Sequence, residues 1–364
     1  MEPSHTIARS LRSDNNAGLC PEALAALTEL CGHAVGYGDD PDTPRAIAAL
    51  TALFGPDIEV FFVATGTAAN TLSIAALTEP WQRVLCSAHS HYADDESTAP
   101  ERITLCRTAA LTPAHDPGKL TPRDIEAATA GGRHDVHEPA PGVVTITNAT
   151  ELGTVYTPDE VRALCQIAHA RGYRVHVDGA RFANAVAELT EQTGESAAAI
   201  CRALTVDAGV AALSFGGTKN GLAFGEAVIF FCADEHARRA AARFPYLRKS
   251  TGHLVSKHRM ITAPFARALE GGAWLRHAGH ANAMAARLAD GLARLGLAPA
   301  VPREANGVFV ALPAQVDAGL RARGHGYYPF GSPMGQVARF MCSFDTRVED
   351  IDALLDDARA LVGG

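Results

Sequence analysis

No two of the eight cysteines in this 364-residue sequence stand in a CxxC spacing; Cys20, Cys31, Cys86, Cys106, Cys165, Cys201, Cys232 and Cys342 are scattered along the chain. Scattered cysteines in a chain of this length read as reduced, mostly buried small hydrophobes, which excludes a disulfide scaffold and points to the cytoplasm. A run of about 18 apolar residues is also missing, so no transmembrane helix is expected. The opening MEPSHTIARSLRSDNNAG has no apolar core and does not read as a secretory signal. Positive charge is in deficit: the formal net charge is -8, which gives no reason to expect a nucleic-acid or anionic-membrane partner. Internal repeats and low-complexity segments are absent. His89, His91, Asp94, Asp95 and Glu96 gather histidines and acids in one short stretch, but no further ligand group accompanies them, and no metal site is expected.

What is present is the composition of a globular enzyme, 47% hydrophobic and 20% charged, in a chain too long for one ordinary core. The clearest local unit runs from 143 to 178. Val143-Val144-Thr145-Ile146 is a β-branched run that predicts a buried strand. Thr157-Pro158-Asp159-Glu160 supplies an N-cap, a proline at the first helical position and a capping-box acid. Val161, Leu164, Cys165 and Ala168 form the apolar stripe of the helix that follows, and Gly172 stops it. Arg174 to Val177 is the next strand, closing at Asp178. Strand–helix–strand of this kind predicts parallel neighbours with a right-handed crossover. The pattern recurs in Glu59–Val63 followed by a helix from Ala69 to Leu77, in Val210–Phe215, and in Ala227–Phe231, so an α/β sheet with helices on both faces is expected. Residues 253–295 read as long-helical. Short strands at Val308–Val310 and Arg339–Cys342 and a final helix from Val348 to Leu361 follow. The expected organisation is an N-terminal arm over 1–20, a large α/β domain over 21–250, and a long-helix linker with a small α+β C-terminal domain over 251–364.

In open α/β sheets ligands sit at the carboxyl ends of strands, and three candidate groups fall there. Lys219, ringed by glycines in Ser214-Phe215-Gly216-Gly217-Thr218-Lys219-Asn220-Gly221, suits a desolvated Schiff-base lysine; taken alone it fits a solvated loop lysine better. A Walker A loop is excluded because Thr218 precedes Lys219 instead of following it. Asp178, in His176-Val177-Asp178-Gly179-Ala180-Arg181, is placed to face a pyridine nitrogen or else to cap the next helix, with Arg181 one turn on. Thr65-Gly66-Thr67-Ala68-Ala69-Asn70 offers free backbone N–H groups to a phosphate, as many glycine turns at helix starts do. His91 is placed to stack on a cofactor ring.

The segments SLRSDNNAG, VGYGDDPDT, FFVATGTAAN, HYADDE, ITNATELGTVYTPDE, VHVDGARFANA, LSFGGTKNG and GEAVIFF, in this order and spread over nearly the whole chain, resemble the threonine aldolase and β-eliminating lyase family. The resemblance implies the fold of the aspartate-aminotransferase-like, fold-type-I PLP-dependent transferases, and pyridoxal 5′-phosphate (PLP) as cofactor. Carried over residue by residue, it makes Lys219 the Schiff-base lysine, Asp178 the partner of the ring nitrogen and Arg181 a nearby holder of cofactor and substrate. Gly66 and Thr67 become the phosphate-binding turn, His91 the residue over the ring, and Glu96 the acid beside it. Ser13 and Arg339 become the pair that grips the substrate carboxylate. Tyr37 is lent by a neighbouring subunit, and Arg248, Lys249 and Lys257 lie where basic groups cross to its phosphate, so a homodimer or homotetramer with shared sites is implied.

One segment departs from the family pattern. Where many members have Glu-Asn-Thr-His-Asn, this chain has Thr147-Asn148-Ala149-Thr150-Glu151, so Thr150 stands in place of a histidine that meets the substrate hydroxyl. This resembles the low-specificity and phenylserine-aldolase branch and leaves open which group removes the β-hydroxyl proton, with His91 as the candidate. The implied reaction is retro-aldol cleavage of L-threonine, L-allo-threonine or a related β-hydroxy-α-amino acid. The alternatives on the same fold are a β-eliminating lyase or a transaminase. A non-catalytic binding protein is disfavoured by the joint retention of Lys219, Asp178 and Arg339.

Overall fold

The computed structural model describes residues 10–113, 118–133, 135–332 and 335–363. Of the arm expected over 1–20, residues 1–9 therefore lie outside the described residues. Seven strands, β1 (Ile58–Val63), β2 (Gln82–Ser87), β3 (Arg107–Leu111), β4 (Ala140–Thr147), β5 (Arg174–Gly179), β6 (Ala212–Gly216) and β7 (Glu226–Phe231), form one sheet in the order β1-β7-β6-β5-β4-β2-β3. From β3 to β6 every pairing is parallel; β7 alone runs against both of its neighbours. β6 and β7 are buried at every position, as strands covered on both faces must be.

Two apolar cores sandwich this sheet. One face packs against the helices Asp42–Phe54, Pro158–Ala170, Phe182–Thr193 and Arg259–Glu270 through residues such as Phe54, Leu164, Phe182 and Phe265. The other packs against Gly66–Leu77 and Glu235–Ser250 through Leu72, Leu77 and Phe244. The capping box expected at Thr157 forms: Thr157 Oγ1 accepts from the Glu160 N–H, and Glu160 Oε2 accepts from the Thr157 N–H at 2.7 Å. The helix ends at Ala170, and Gly172 takes a φ of +80°, the left-handed turn a glycine stop supplies.

Three features differ from expectation. The helix expected from Ala69 begins at Gly66, because the Thr65 hydroxyl accepts the Ala68 N–H and caps it there. The long-helical stretch over 253–295 is two helices, Arg259–Glu270 and Ala273–Arg294, broken where Gly272 takes a φ of +65°. Arg259–Glu270 packs with the large-sheet core, while Ala273–Arg294 runs on to the C-terminal unit. That unit holds a three-stranded antiparallel sheet, β8 (Gly307–Val310), β10 (Gly335–Met341) and β9 (Tyr328–Ser332), in which β10 is central. Its core joins Leu288 and Leu292 to Leu320, Phe340 and Leu354, and also to Leu11 of the N-terminal arm. The Leu11 N–H donates to Gly326 O, and Leu11 O accepts from the Met341 N–H, so the first described residues close the C-terminal unit. No helix among the described residues is long and apolar enough to cross a membrane.

Candidate active site

Three of the parallel strands, β1, β5 and β6, end at one edge of the large sheet, where the antiparallel β7 begins. Their carboxyl ends open on a cavity of about 300 Å³ to which Gly66, Thr67, His91, Asp178, Lys219 and Glu226 all contribute. A larger hollow of about 540 Å³ lies at the opposite edge, beside Trp81, Arg83 and Tyr173, and contains none of the sequence-predicted residues.

Lys219 sits in a single 3-10 turn, Thr218–Asn220, directly after β6. The turn is clamped from below by backbone. A Cβ on Gly216 would collide with Ala180 O, and one on Gly217 would lie 2.6 Å from Gly225 O. It is clamped from the side by Glu226, the first residue of β7. Glu226 Oε2 accepts the Gly217 N–H and Oε1 accepts the Thr218 hydroxyl, both at 2.7 Å. Burial, with the nearby Arg181 guanidinium, lowers the pKa of Lys219 below the ordinary lysine value. Burial also pushes the Glu226 carboxyl up to about 7. An amine that holds its proton less tightly than an ordinary lysine, at the floor of a cavity, is the arrangement that favours covalent capture of a carbonyl.

Asp178 closes β5. Its Oδ1 accepts the Ala180 N–H at 2.9 Å and its Oδ2 accepts from Asn70 Nδ2 at 2.8 Å. The same Asn70 nitrogen donates to Glu96 Oε1 at 2.9 Å, and His91 Nδ1 meets that oxygen at 3.0 Å. Asn70, one turn into the helix that Thr65 caps, thus joins Asp178 to the acid that orients His91. The hydrogen bond with Glu96 raises the pKa of His91. The backbone of His91 is held separately: its N–H donates to Glu151 Oε1 at 2.7 Å, and the Thr147 hydroxyl donates to the same atom at 3.0 Å.

Behind the cavity, Arg181 Nε and Nη2 grip Asp14 Oδ2 and Oδ1 at 2.7 and 2.9 Å. Burial alone would raise the Asp14 pKa, but the Arg181 charge, Lys219 and hydrogen bonds from Arg181 and Asn306 override it and hold Asp14 at about 2. Ser13, beside it, caps the Asp14–Asn16 turn by accepting the Asn15 N–H. Arg339, on β10, is held between the rings of Tyr328 and Phe330 at 5.7 and 5.5 Å, and its buried Nε has no partner. Burial, then Arg181, lowers its pKa.

Five predicted residues, Tyr37, Thr150, Arg248, Lys249 and Lys257, lie off the cavity. Thr150 is buried, with its hydroxyl engaged by Thr154 Oγ1 at 2.7 Å. Tyr37 is half-exposed, with a φ of +63°; the Lys249 ammonium lies 4.9 Å from its ring centroid, and its N–H donates to Ser256 O, next to exposed Lys257. Arg248, by contrast, is buried, donates from Nη1 to Phe62 O and lies over the Phe61 ring. Asn70, Glu151, Glu226 and Asp14 were not anticipated. For Glu226 a signal existed, since a carboxylate heading a wholly apolar strand must have buried partners.

A family model described as beta-eliminating lyase matches residues 10–315. The chain is 45% identical over 353 residues, 96% of its length and 97% of the relative's, to a low specificity L-threonine aldolase of Pseudomonas aeruginosa. It is 43% identical over 357 residues, 98% of each chain, to a low specificity L-threonine aldolase of another Pseudomonas. A solved structure of Leishmania major threonine aldolase superposes with a TM-score of 0.87 at 25% identity, covering 97% of this chain and 99% of that one.

Proposed function

Since the chain belongs to the beta-eliminating lyase family, we propose that it is a PLP-dependent aldehyde-lyase that cleaves L-threonine, L-allo-threonine or related β-hydroxy-α-amino acids, phenylserine among them, to glycine and an aldehyde. The observation that carries this reading is the convergence of Lys219, Asp178 and the start of the Gly66–Leu77 helix on one cavity of a fold-type-I enzyme.

The residues present fit the cofactor. Lys219, whose amine makes no hydrogen bond among the described residues and whose pKa is lowered, would hold its aldehyde carbon. Asp178, with one oxygen steadied by Asn70, would hold its ring nitrogen. The Gly66 and Thr67 N–H groups, which no residue within the helix satisfies, would hold its phosphate. When bound, PLP supplies a protonated ring that takes up the electron pair released at the substrate Cα. His91 covers the cavity, with Glu96 fixing its ring plane. The unpartnered Arg339 guanidinium meets the α-carboxylate bidentately, with Ser13 beside it, and this grip decides which bond at Cα is turned for cleavage. Arg181, tied to Asp14, contributes charge and shape from behind. Thr150, with its hydroxyl engaged elsewhere, shapes the wall without taking a proton.

Tyr37, Lys249 and Lys257 form one exposed group, and they serve the site of a neighbouring copy in a homodimer or homotetramer. An exposed tyrosine held at positive φ is a strained position, and strain of this kind gathers at functional sites.

The test is a product assay on L-threonine, L-allo-threonine and phenylserine. Glycine and the matching aldehyde are expected, and Lys219→Ala should abolish both the cofactor's visible absorbance and turnover. 2-Oxobutyrate and ammonia from the threonines, or phenylpyruvate and ammonia from phenylserine, in place of glycine and the aldehyde would make the enzyme a β-eliminating lyase.

A further inference from the structure

We propose that Glu151 is the group that accepts the substrate's β-hydroxyl proton, through its Oε2 atom; the assignment rests on the retro-aldol function proposed above. Three observations lead to it. First, the other groups near the hydroxyl's place are committed. Thr150 shares its hydroxyl with Thr154 and cannot act as a base near neutral pH. His91 has Nδ1 on Glu96, a contact that favours the charged imidazolium, which has no lone pair to offer.

Second, the Glu151 carboxyl lies on the face of the sheet where the chemistry is. Thr147 and Asp178 are register partners on the parallel strands β4 and β5, so their side chains leave the same face. The Thr147 hydroxyl and the His91 N–H both donate to Glu151 Oε1. The carboxyl is thereby fixed between His91, which borders the cavity, and the strand end beside Asp178. Third, only one of its oxygens is bonded by another residue. Oε1 takes the hydrogen bonds from His91 and Thr147; Oε2 takes none from another described residue, the remaining donor to the carboxyl being Glu151's own N–H, and the residue is only partly buried. An anchored carboxylate with one free, reachable oxygen is built to accept a proton. Burial, reinforced by the charge of Asp178, raises its pKa above the ordinary glutamate value, toward the range in which a base is effective at neutral pH.

The proton transfer balances without a co-reactant. The β O–H proton moves to Oε2, and the O–H electron pair becomes the second bond of the aldehyde carbonyl. The Cα–Cβ bond breaks, its pair stays with Cα, and a proton added there completes glycine. Glu151 then returns its proton to the pool from which Cα was protonated.

Glu151→Gln is the test, because a glutamine Oε1 keeps both hydrogen bonds and the shape while removing the base. Aldehyde release from L-threonine should fall by about 10²–10⁴-fold, the usual worth of a positioned general base. Two measurements that involve no β-hydroxyl should hold: the calorimetric affinity for glycine, and exchange of the glycine α-hydrogen with deuterated solvent, each within about threefold of the parent. Aldehyde release by E151Q within about tenfold of the parent would overturn the assignment. So would an equal loss of glycine binding, exchange and cleavage, which would make Glu151 a structural clamp on His91. If the unaltered enzyme released no aldehyde from any β-hydroxy-α-amino acid, the underlying function would fail instead.

Discussion

Asp14→Asn should expose how much the N-terminal arm stabilises the site it lies behind. Asp14 is 1% exposed, and its carboxylate takes both prongs of the Arg181 guanidinium. Its pKa of about 2, against 3.8 for a free side chain, means that the folded protein favours the charged form by about 1.8 pH units, or roughly 2.4 kcal/mol. Asparagine removes that charge and leaves Arg181 buried without a counter-ion, so the loss should be at least this large. With an unfolding entropy of about 2.1 cal/mol/K per residue over 364 residues, the substitution should lower Tm by about 3 °C or more near neutral pH. The sign of the pH dependence follows from the depressed pKa. The stabilisation is fully present above 3.8 and disappears as pH falls through about 2, with about half remaining at pH 3. Melting curves of the two proteins at pH 6, 5 and 3, followed by circular dichroism, are the assay. The gap should be full at pH 6 and 5 and about halved at pH 3. A D14N protein that melts within about 1 °C of the parent at pH 6, or a gap that does not shrink with acid, would refute the reasoning.

Asp178→Asn should leave the cofactor bound and lower cleavage by orders of magnitude, because an amide offers the ring nitrogen no charge; near-normal turnover would reduce Asp178 to a cap on the Ala180 N–H. Glu226→Gln should gain stability relative to the parent as pH rises from 5 to 8. Burial raises the parent's carboxyl to about 7 in the fold against about 4.5 in the unfolded chain, so the parent loses stability progressively as pH rises from about 4.5 through about 7, and glutamine does not. A melting-temperature difference identical at both pH values would contradict this. Co-expressing Lys219→Ala with Tyr37→Ala should restore about a quarter of the parent's activity through mixed dimers that hold one complete site, whereas complete inactivity would show that Tyr37 does not serve a neighbour.

The parts of the molecule legible in the sequence are those set by local chemistry. The capping box at Thr157, the stop at Gly172 and the β-branched runs on either side fixed the strand–helix–strand unit that ends at Asp178. The position of Lys219 after β6 followed from its ring of glycines. Local pattern does not reveal strand direction, and β7, as apolar as its parallel neighbours, runs the other way. Nor does it reveal partners far away in the chain. Asn70 meets Asp178 across 108 residues and Asp14 meets Arg181 across 167, and neither polar side chain carries a periodic signal. Glu151 stood in plain view one residue beyond Thr150, but its role depends on which atoms of His91 and Thr147 reach it.

The closure of the C-terminal unit by Leu11 bears on how the enzyme is made. Leu11 is translated long before its partners Gly326 and Met341, and Asp14 long before Asn306, which steadies it. At about 5–20 residues per second the arm waits on the order of 20–70 s for them. Once β7 has been made, the large sheet has every strand it needs, while Gly326, Arg339 and Met341 are still to come. A nascent chain stalled before β10 would therefore carry Lys219 and Asp178 without Arg339, the residue proposed to grip the substrate carboxylate. Synthesis of β10, and not of the large sheet alone, completes the set of residues proposed to form the site.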